Sequence, residues 1–176
     1  LAAEQVVGGT IVTTMARNGT TFGVKLAGSD RWHVCDAPDV GDALYYSGFT
    51  AADAAKDVGD SAVLELVGLG GASAAASPAV AGFLGGSMDD AVRATNEMIE
   101  ICAAESTRFK LPILGFRGSP LGVDVRRVVE SGTRPKVTTG VLHVSSGAGQ
   151  IGAGVATAPI EAFSAALLAA ADDRTA

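Results

Sequence analysis

The dipeptide Asn18-Gly19, set between two runs of β-branched and apolar residues, constrains this chain more than any other feature. A type I′ turn needs φ > 0 at both central positions, and Asn-Gly tolerates that geometry well. A two-residue loop there would pair Met15 with Phe22, Thr13 with Val24 and Ile11 with Leu26. All of these fall on one face, so turn chemistry and hydrophobic pattern predict the same hairpin between a strand at Thr10–Ala16 and its return. Arg31–Cys35 alternates Trp32 and Val34 against Arg31, His33 and Cys35, which extends the hairpin to an antiparallel meander.

Downstream, the signals turn helical and glycine-rich. Residues 1–8 read as a helix end or linker, Leu44-Tyr45-Tyr46 as a short strand and Ala51–Ala55 as one helical turn. Asp60 or Ser61 is placed to cap a helix through Leu66, which Gly68-Leu69-Gly70-Gly71 stops. Two short Ala-rich helices follow, with Pro78 opening the second and Gly85-Gly86 closing it. Ser87 caps the clearest helix, whose stripe of Met88, Ala91, Val92, Ile99 and Cys102 carries it to about Glu105. Asp89 and Asp90 lie in its first turn, at the positive end of the helix dipole. Val123–Ser131 is a short helix ended by Gly132, Lys136–Val144 a strand, Gly147–Gly154 a glycine loop, and Pro159 opens a last helix over Ile160–Ala171. The tail Asp172–Ala176 is polar and frayed. These elements predict an α/β (mixed α+β) fold in which the antiparallel N-terminal meander joins the Lys136–Val144 strand in a mixed sheet covered by helices.

The 176 residues fit a single domain, 1–176. The chain begins Leu1-Ala2-Ala3, and it is read here as part of a longer chain. Apolar residues make up 48% but aromatics only 5%, so the core must be built from Ala, Val, Leu and Ile. A formal charge of −6 without a basic tract argues against a nucleic-acid surface. The longest apolar region, Ser61 to Gly86, is broken by Glu65, Pro78 and glycines and does not read as a membrane span. Cys35 and Cys102 lack metal or redox spacing, so a reduced cytoplasmic location is the default.

The densest chemistry lies in Gly115-Phe116-Arg117-Gly118-Ser119-Pro120-Leu121-Gly122-Val123-Asp124-Val125-Arg126. Glycine lets backbone approach a ligand, and arginine offers paired donors to a carboxylate or phosphate. Against this stands a tight connection whose arginines satisfy local carbonyls or Asp124. Arg17 and Asn18 flank the hairpin tip, where Asn18 serves the turn or Arg17 binds an anion. Asp57 and Asp60 are a base or ligand pair, or a cap and a surface charge. His143, between strand and glycine loop, suits an acid/base or oxyanion donor. Gly147-Ala148-Gly149-Gln150-Ile151-Gly152 matches G-x-G-x-x-G, but Ala153–Ala156 reads as extended rather than helical, so a dinucleotide site is rejected. No metal-ligand pattern and no cofactor motif is evident.

Six motifs occur in order. They are Met15-Ala16-Arg17-Asn18-Gly19, Asp57-x-Gly59-Asp60-Ser61, Gly68-Leu69-Gly70-Gly71, Phe116-Arg117-Gly118-Ser119-Pro120-x-Gly122-x-Asp124-x-Arg126, Thr139-Gly140-x-x-His143 and Gly147-x-Gly149-Gln150-Ile151-Gly152-Ala153-Gly154. Together they resemble the C-terminal part of a bacterial family, long catalogued as a domain of unknown function, that includes AllG-type subunits of oxamate carbamoyltransferase. The resemblance runs from about Val7 to about Leu168. It implies purine degradation (allantoin catabolism), with oxalurate and phosphate interconverting with oxamate and carbamoyl phosphate. It also implies other enzyme subunits, including an acyl-CoA-synthetase-like one, an N-terminal part of the same chain, and a homo-oligomer. On this reading Arg17, Asn18, Arg117, Gly118, Arg126, Gly149 and Gln150 bind a small anionic substrate, and His143, Asp124 and Asp60 act in catalysis. A non-catalytic assembly domain and a ring-opening amidohydrolase are the competing readings.

Overall fold

The computed structural model describes residues 3–40, 43–83, 86–145 and 147–175. Leu1, Ala2, the expected helix stop at Gly85 and the terminal Ala176 lie outside the described residues. The fold is mixed α+β, built on three antiparallel sheets. The first contains β1 (Val12–Asn18), β2 (Thr21–Leu26), β3 (His33–Asp36) and β5 (Val58–Gly59), in the order β3-β2-β1-β5. The second orders β4 (Ala43–Tyr45), β9 (Gln150–Thr157) and β8 (Lys136–Leu142) as β4-β9-β8. The third is a ribbon of β6 (Cys102–Leu111) and β7 (Arg117–Val123). The meander is therefore present. The Lys136 strand, however, pairs with β9 rather than joining the meander, so every sheet among the described residues is antiparallel and none is mixed.

The hairpin register differs from the predicted one by two residues. Met15 faces Val24 and Arg17 faces Phe22, so the loop is Gly19-Thr20, with Gly19 at φ 82°. Asn18 stays in the strand, and its Oδ1 accepts hydrogen bonds from the amides of Thr20 and Thr21 at 2.9 and 2.7 Å. A shift of two preserves the buried face because side chains alternate with period two. A register irregularity between Val12 and Thr14 then places Val12, not Ile11, in the core. On β3 it is His33 that is buried, while Trp32 and Val34 face outward.

Among the described residues five α-helices cover the sheets: α1 (Val63–Leu66), α2 (Pro78–Phe83), α3 (Met88–Ile101), α4 (Val125–Ser131) and α5 (Ile160–Thr175). The main core packs Val12, Met15, Phe22, Val24 and Leu26 against Ala162, Phe163 and Ala166 of α5, with Met98 and Ile101 of α3 behind. The Phe22 and Phe163 rings lie 6.2 Å apart. The many alanines let helix backbones approach closely, which is how a core poor in aromatics still fills.

The predicted Ser87 cap is observed, with Ser87 Oγ accepting from the Asp90 amide at 3.1 Å. That helix ends at Ile101 rather than near Glu105, because the next residues pair with β7 from Cys102↔Val123 onward. Its buried face is Ala91, Ala94, Thr95, Met98 and Ile101, with Val92 and Ile99 on the flank. Neither Asp60 nor Ser61 caps α1. Ala62 occupies the cap position without a side-chain bond, Asp60 is exposed, and the Ser61 hydroxyl is engaged elsewhere. Residues 117–123 form a strand rather than a turn, and Gln150–Thr157 forms a strand rather than a glycine loop. Gly132 ends α4 at φ 72° as anticipated.

Candidate functional site

The segment from Ser61 to Gly71, which contains α1, is the hub of a buried polar network. Arg17, at the end of β1, is inserted beneath it. Its Nε donates to Asp57 Oδ2 at 3.0 Å, and both side chains are 1% exposed. Its Nη2 reaches Ser61 Oγ at 3.1 Å and the Thr138 carbonyl at 3.3 Å. The β1–β5 pairing sets this geometry, since Arg17 lies opposite Gly59 and the Gly19 amide donates to the Asp57 carbonyl.

Glu65 enters from α1 with no exposed surface. Its Oε1 accepts from the Gly71 amide at 2.9 Å, the Thr138 amide at 3.0 Å and the Thr138 hydroxyl at 2.9 Å. Burial pushes its carboxyl above the ordinary range, and these hydrogen bonds oppose the rise without cancelling it. Arg17 and Glu65 thus cap the carbonyl and amide of Thr138 on β8, the edge strand of its sheet, with side chains instead of a further strand. Gly70 permits this contact, because a Cβ there would lie 2.2 Å from Glu65 Oε1.

Four buried polar atoms around this hub have no partner: Arg17 Nη1, Asp57 Oδ1, Glu65 Oε2 and Ser119 Oγ. Ser119 sits on β7 against Gly68, where a Cβ would approach its hydroxyl to 2.5 Å. Buried donors and acceptors are normally satisfied, so such a group calls for a water, a ligand or a partner. Chemically, the set offers a guanidinium N–H and a hydroxyl as open donors beside a carboxyl group whose pKa burial raises.

The other anticipated residues are distributed elsewhere. Arg117 donates through Nε to Glu105 Oε1 at 3.1 Å, and the Gly118 amide donates to Glu105 Oε2 at 3.1 Å. That pair of donors does hold a carboxylate, but it is the chain's own. The Arg117 hydrogen bonds hold the Glu105 carboxyl below its usual range. Arg126 donates to Asp124 through Nε at 3.2 Å and Nη2 at 2.6 Å. Burial opposes ionisation of Asp124, but bonds from the Arg126 side chain and amide and from Thr10 outweigh it and lower its pKa. Asp124 also caps α4 through the Arg126 amide. Each of the three arginines therefore carries its own carboxylate. His143, Gly149 and Gln150 do come together at the end of the β8–β9 hairpin. The His143 amide donates to the Gly149 carbonyl, His143 Nδ1 accepts from the Ser145 amide at 2.8 Å, and the ring meets Phe49 edge-on. Gln150 Nε2 donates to the Gly152 carbonyl at 2.8 Å. Asn18 serves its turn, and Asp60 stands outside the network.

Sequence reasoning missed Glu65, Ser61, Thr138 and Ser119 as members of one network. The available signal was a lone carboxylate inside Val63-Leu64-Glu65-Leu66-Val67, followed at once by three glycines. A charge in an apolar run beside permissive backbone implies burial with local partners.

The arrangement belongs to a chain with clear relatives. The profile described as "Oxamate carbamoyltransferase subunit AllG" matches residues 1–61. The protein of that name from Escherichia coli K12 is 40% identical over 173 residues, which cover 97% of this chain and 41% of that protein. The chain belongs to the AllG-type family. A second relative from the same strain, the uncharacterized protein YahG, is 37% identical over 168 residues, covering 95% of this chain and 35% of YahG. A crystal structure of a conserved protein of unknown function from Enterococcus faecalis V583 matches with a TM-score of 0.87 and 39% identity, over 93% of this chain and 39% of that one. The chain thus spans about two-fifths or less of the length of the relatives it matches. No helix among the described residues is long and apolar enough to cross a membrane.

Proposed function

We propose that this chain forms part of a carbamoyltransferase subunit of the AllG type and contributes an anion-binding site to it. The reaction would interconvert oxalurate and phosphate with oxamate and carbamoyl phosphate, in purine degradation, beside other enzyme subunits. The observation that carries this reading is the 40% identity to the oxamate carbamoyltransferase subunit along 97% of the chain.

The network at α1 supports it chemically. Arg17 Nη1 and the Ser119 hydroxyl are donors without acceptors, which suits a small carboxylate or phosphate. Carbamoyl transfer also needs donors on the carbonyl oxygen as it gains charge, and a carboxyl group able to give a proton. Glu65, whose carboxyl burial pushes above the ordinary range, is the candidate for the second role. Arg117, Arg126 and Asp124 enter the site only by exchanging their present partners for substrate, and His143 with Gly149 and Gln150 forms a separate polar edge.

Thermal unfolding with oxamate, phosphate and carbamoyl phosphate tests this. A ligand at about 100 times its Kd stabilises by about 2.7 kcal/mol, a shift of several degrees at this size. An unchanged midpoint with all three, in a folded chain, sinks the anion-site reading. It would favour the alternative of a non-catalytic assembly domain, a reading supported by the pairing of every arginine in the proposed clamp to a carboxylate of the chain.

A further inference from the structure

The β6–β7 ribbon ends in an apolar tip that the described residues leave uncovered. Phe109, Ile113 and Phe116 are 46%, 51% and 68% exposed. The backbone itself turns two of them outward. The Ser106 hydroxyl accepts from the amides of Arg108 and Phe109 at 3.2 and 3.0 Å, closing a bulge that displaces Phe109 from the ladder. Phe116 has a φ of 63°, the one positive value at a non-glycine position among the described residues. A bulky side chain in the left-handed region is strained, and such strain persists where function needs it. The ribbon also differs from the rest of the chain in charge. Arg108, Lys110 and Arg117 against Glu105 give it a formal +2 on a chain of −6, which leaves −8 for the remainder.

A matching groove lies on the outer face of the meander. Ala16, Gly23, Trp32 and Val34 line it together with Arg17, Asn18 and Thr21, around an open volume of about 230 Å³. Gly23 makes room for the indole, since a Cβ there would lie 3.0 Å from the ring. Trp32 and Val34 remain 45% and 54% exposed. Asp36, paired with Thr21 at one end of the groove, is exposed as well.

We propose that the β6–β7 tip of one chain docks in this groove on a second copy, with Phe116 against Trp32 and the basic ribbon over the acidic body. The apolar anchor supplies burial, and the opposite charges set orientation and approach. Two such contacts related by a two-fold axis close a dimer.

Trp32 is the sole tryptophan, so it reports on the groove directly. Light scattering and tryptophan emission are measured on the same dilution series. The expected result is a mass that doubles with concentration while emission moves to shorter wavelength. Phe116→Gly, which relieves the backbone strain and keeps the fold, abolishes both changes. Arg108→Glu with Lys110→Glu weakens association about tenfold at low salt, and less at high salt. A chain that stays monomeric across the series overturns the proposal. So does a dimer whose mass or Trp32 emission is indifferent to Phe116→Gly, which would place the contact elsewhere.

Discussion

Asp57→Ala tests how much the buried Arg17–Asp57 ion pair stabilises the fold. Arg17 and Asp57 are each 1% exposed at the side chain, so neither charge is screened by solvent. Removing the carboxylate leaves a guanidinium buried with only Ser61 Oγ and the Thr138 carbonyl as acceptors. Breaking one side of such a pair costs about 3–5 kcal/mol, a large part of the roughly 5–15 kcal/mol available to a domain. At this chain length each kcal/mol moves the midpoint by about 2–4 °C, so the melting temperature should fall by roughly 6–20 °C. Urea and thermal denaturation followed by circular dichroism measure the change. Asp30→Ala is the control, because Asp30, which pairs with Lys25, is itself fully exposed and its removal should leave the midpoint unmoved. The double variant Arg17→Met with Asp57→Leu should recover part of the loss, since an apolar pair carries no desolvation penalty. An Asp57→Ala midpoint as unperturbed as that of Asp30→Ala would refute the reasoning.

Glu65 gives a pH-dependent test. Its folded pKa is raised, chiefly by burial, so the folded state holds the proton more tightly than the unfolded state does. Wild type should therefore lose stability relative to Glu65→Gln as pH rises from the ordinary carboxylate range through the raised folded value. Below that range the difference should be constant, and urea midpoints that show no pH-dependent difference at all would contradict this. Cys102 offers a chemical test, since burial pushes its thiol up to about 12, against a small opposing effect of Arg127. Iodoacetamide at about pH 8 should leave it unmodified until the chain unfolds, as read by mass spectrometry. Labelling as fast as in urea would show that the site is open.

Local signals made much of the architecture legible. The Asn-Gly hairpin, the Ser87 cap, the Gly132 stop and the Pro159 helix start each rest on backbone chemistry within a few residues, and each appears where the sequence places it, the hairpin within two residues. The Ser87 helix was read about four residues too long, because Ala103-Ala104-Glu105 suits a helix in isolation. Pairing with β7 overrides that preference. The same strand turns Arg117 from a turn residue into a ladder residue opposite Leu111, with its side chain bonded to Glu105.

The site was less legible, and the reason is physical. Arginine and glycine clusters mark where an anion is welcome, but they do not say whether the chain's own carboxylates arrive first. Asp57 is 40 residues from Arg17, and Thr138 is 73 from Glu65. Sequence by itself determined the meander, the Ser87 cap and the family, because those depend on residue type and near spacing. Only the tertiary structure decided that Arg17 is buried, that Glu65 is the carboxylate on the β8 edge, and that Ser119 keeps an unpaired hydroxyl. Burial and long-range pairing are properties of packed sheets, and no local pattern contains them.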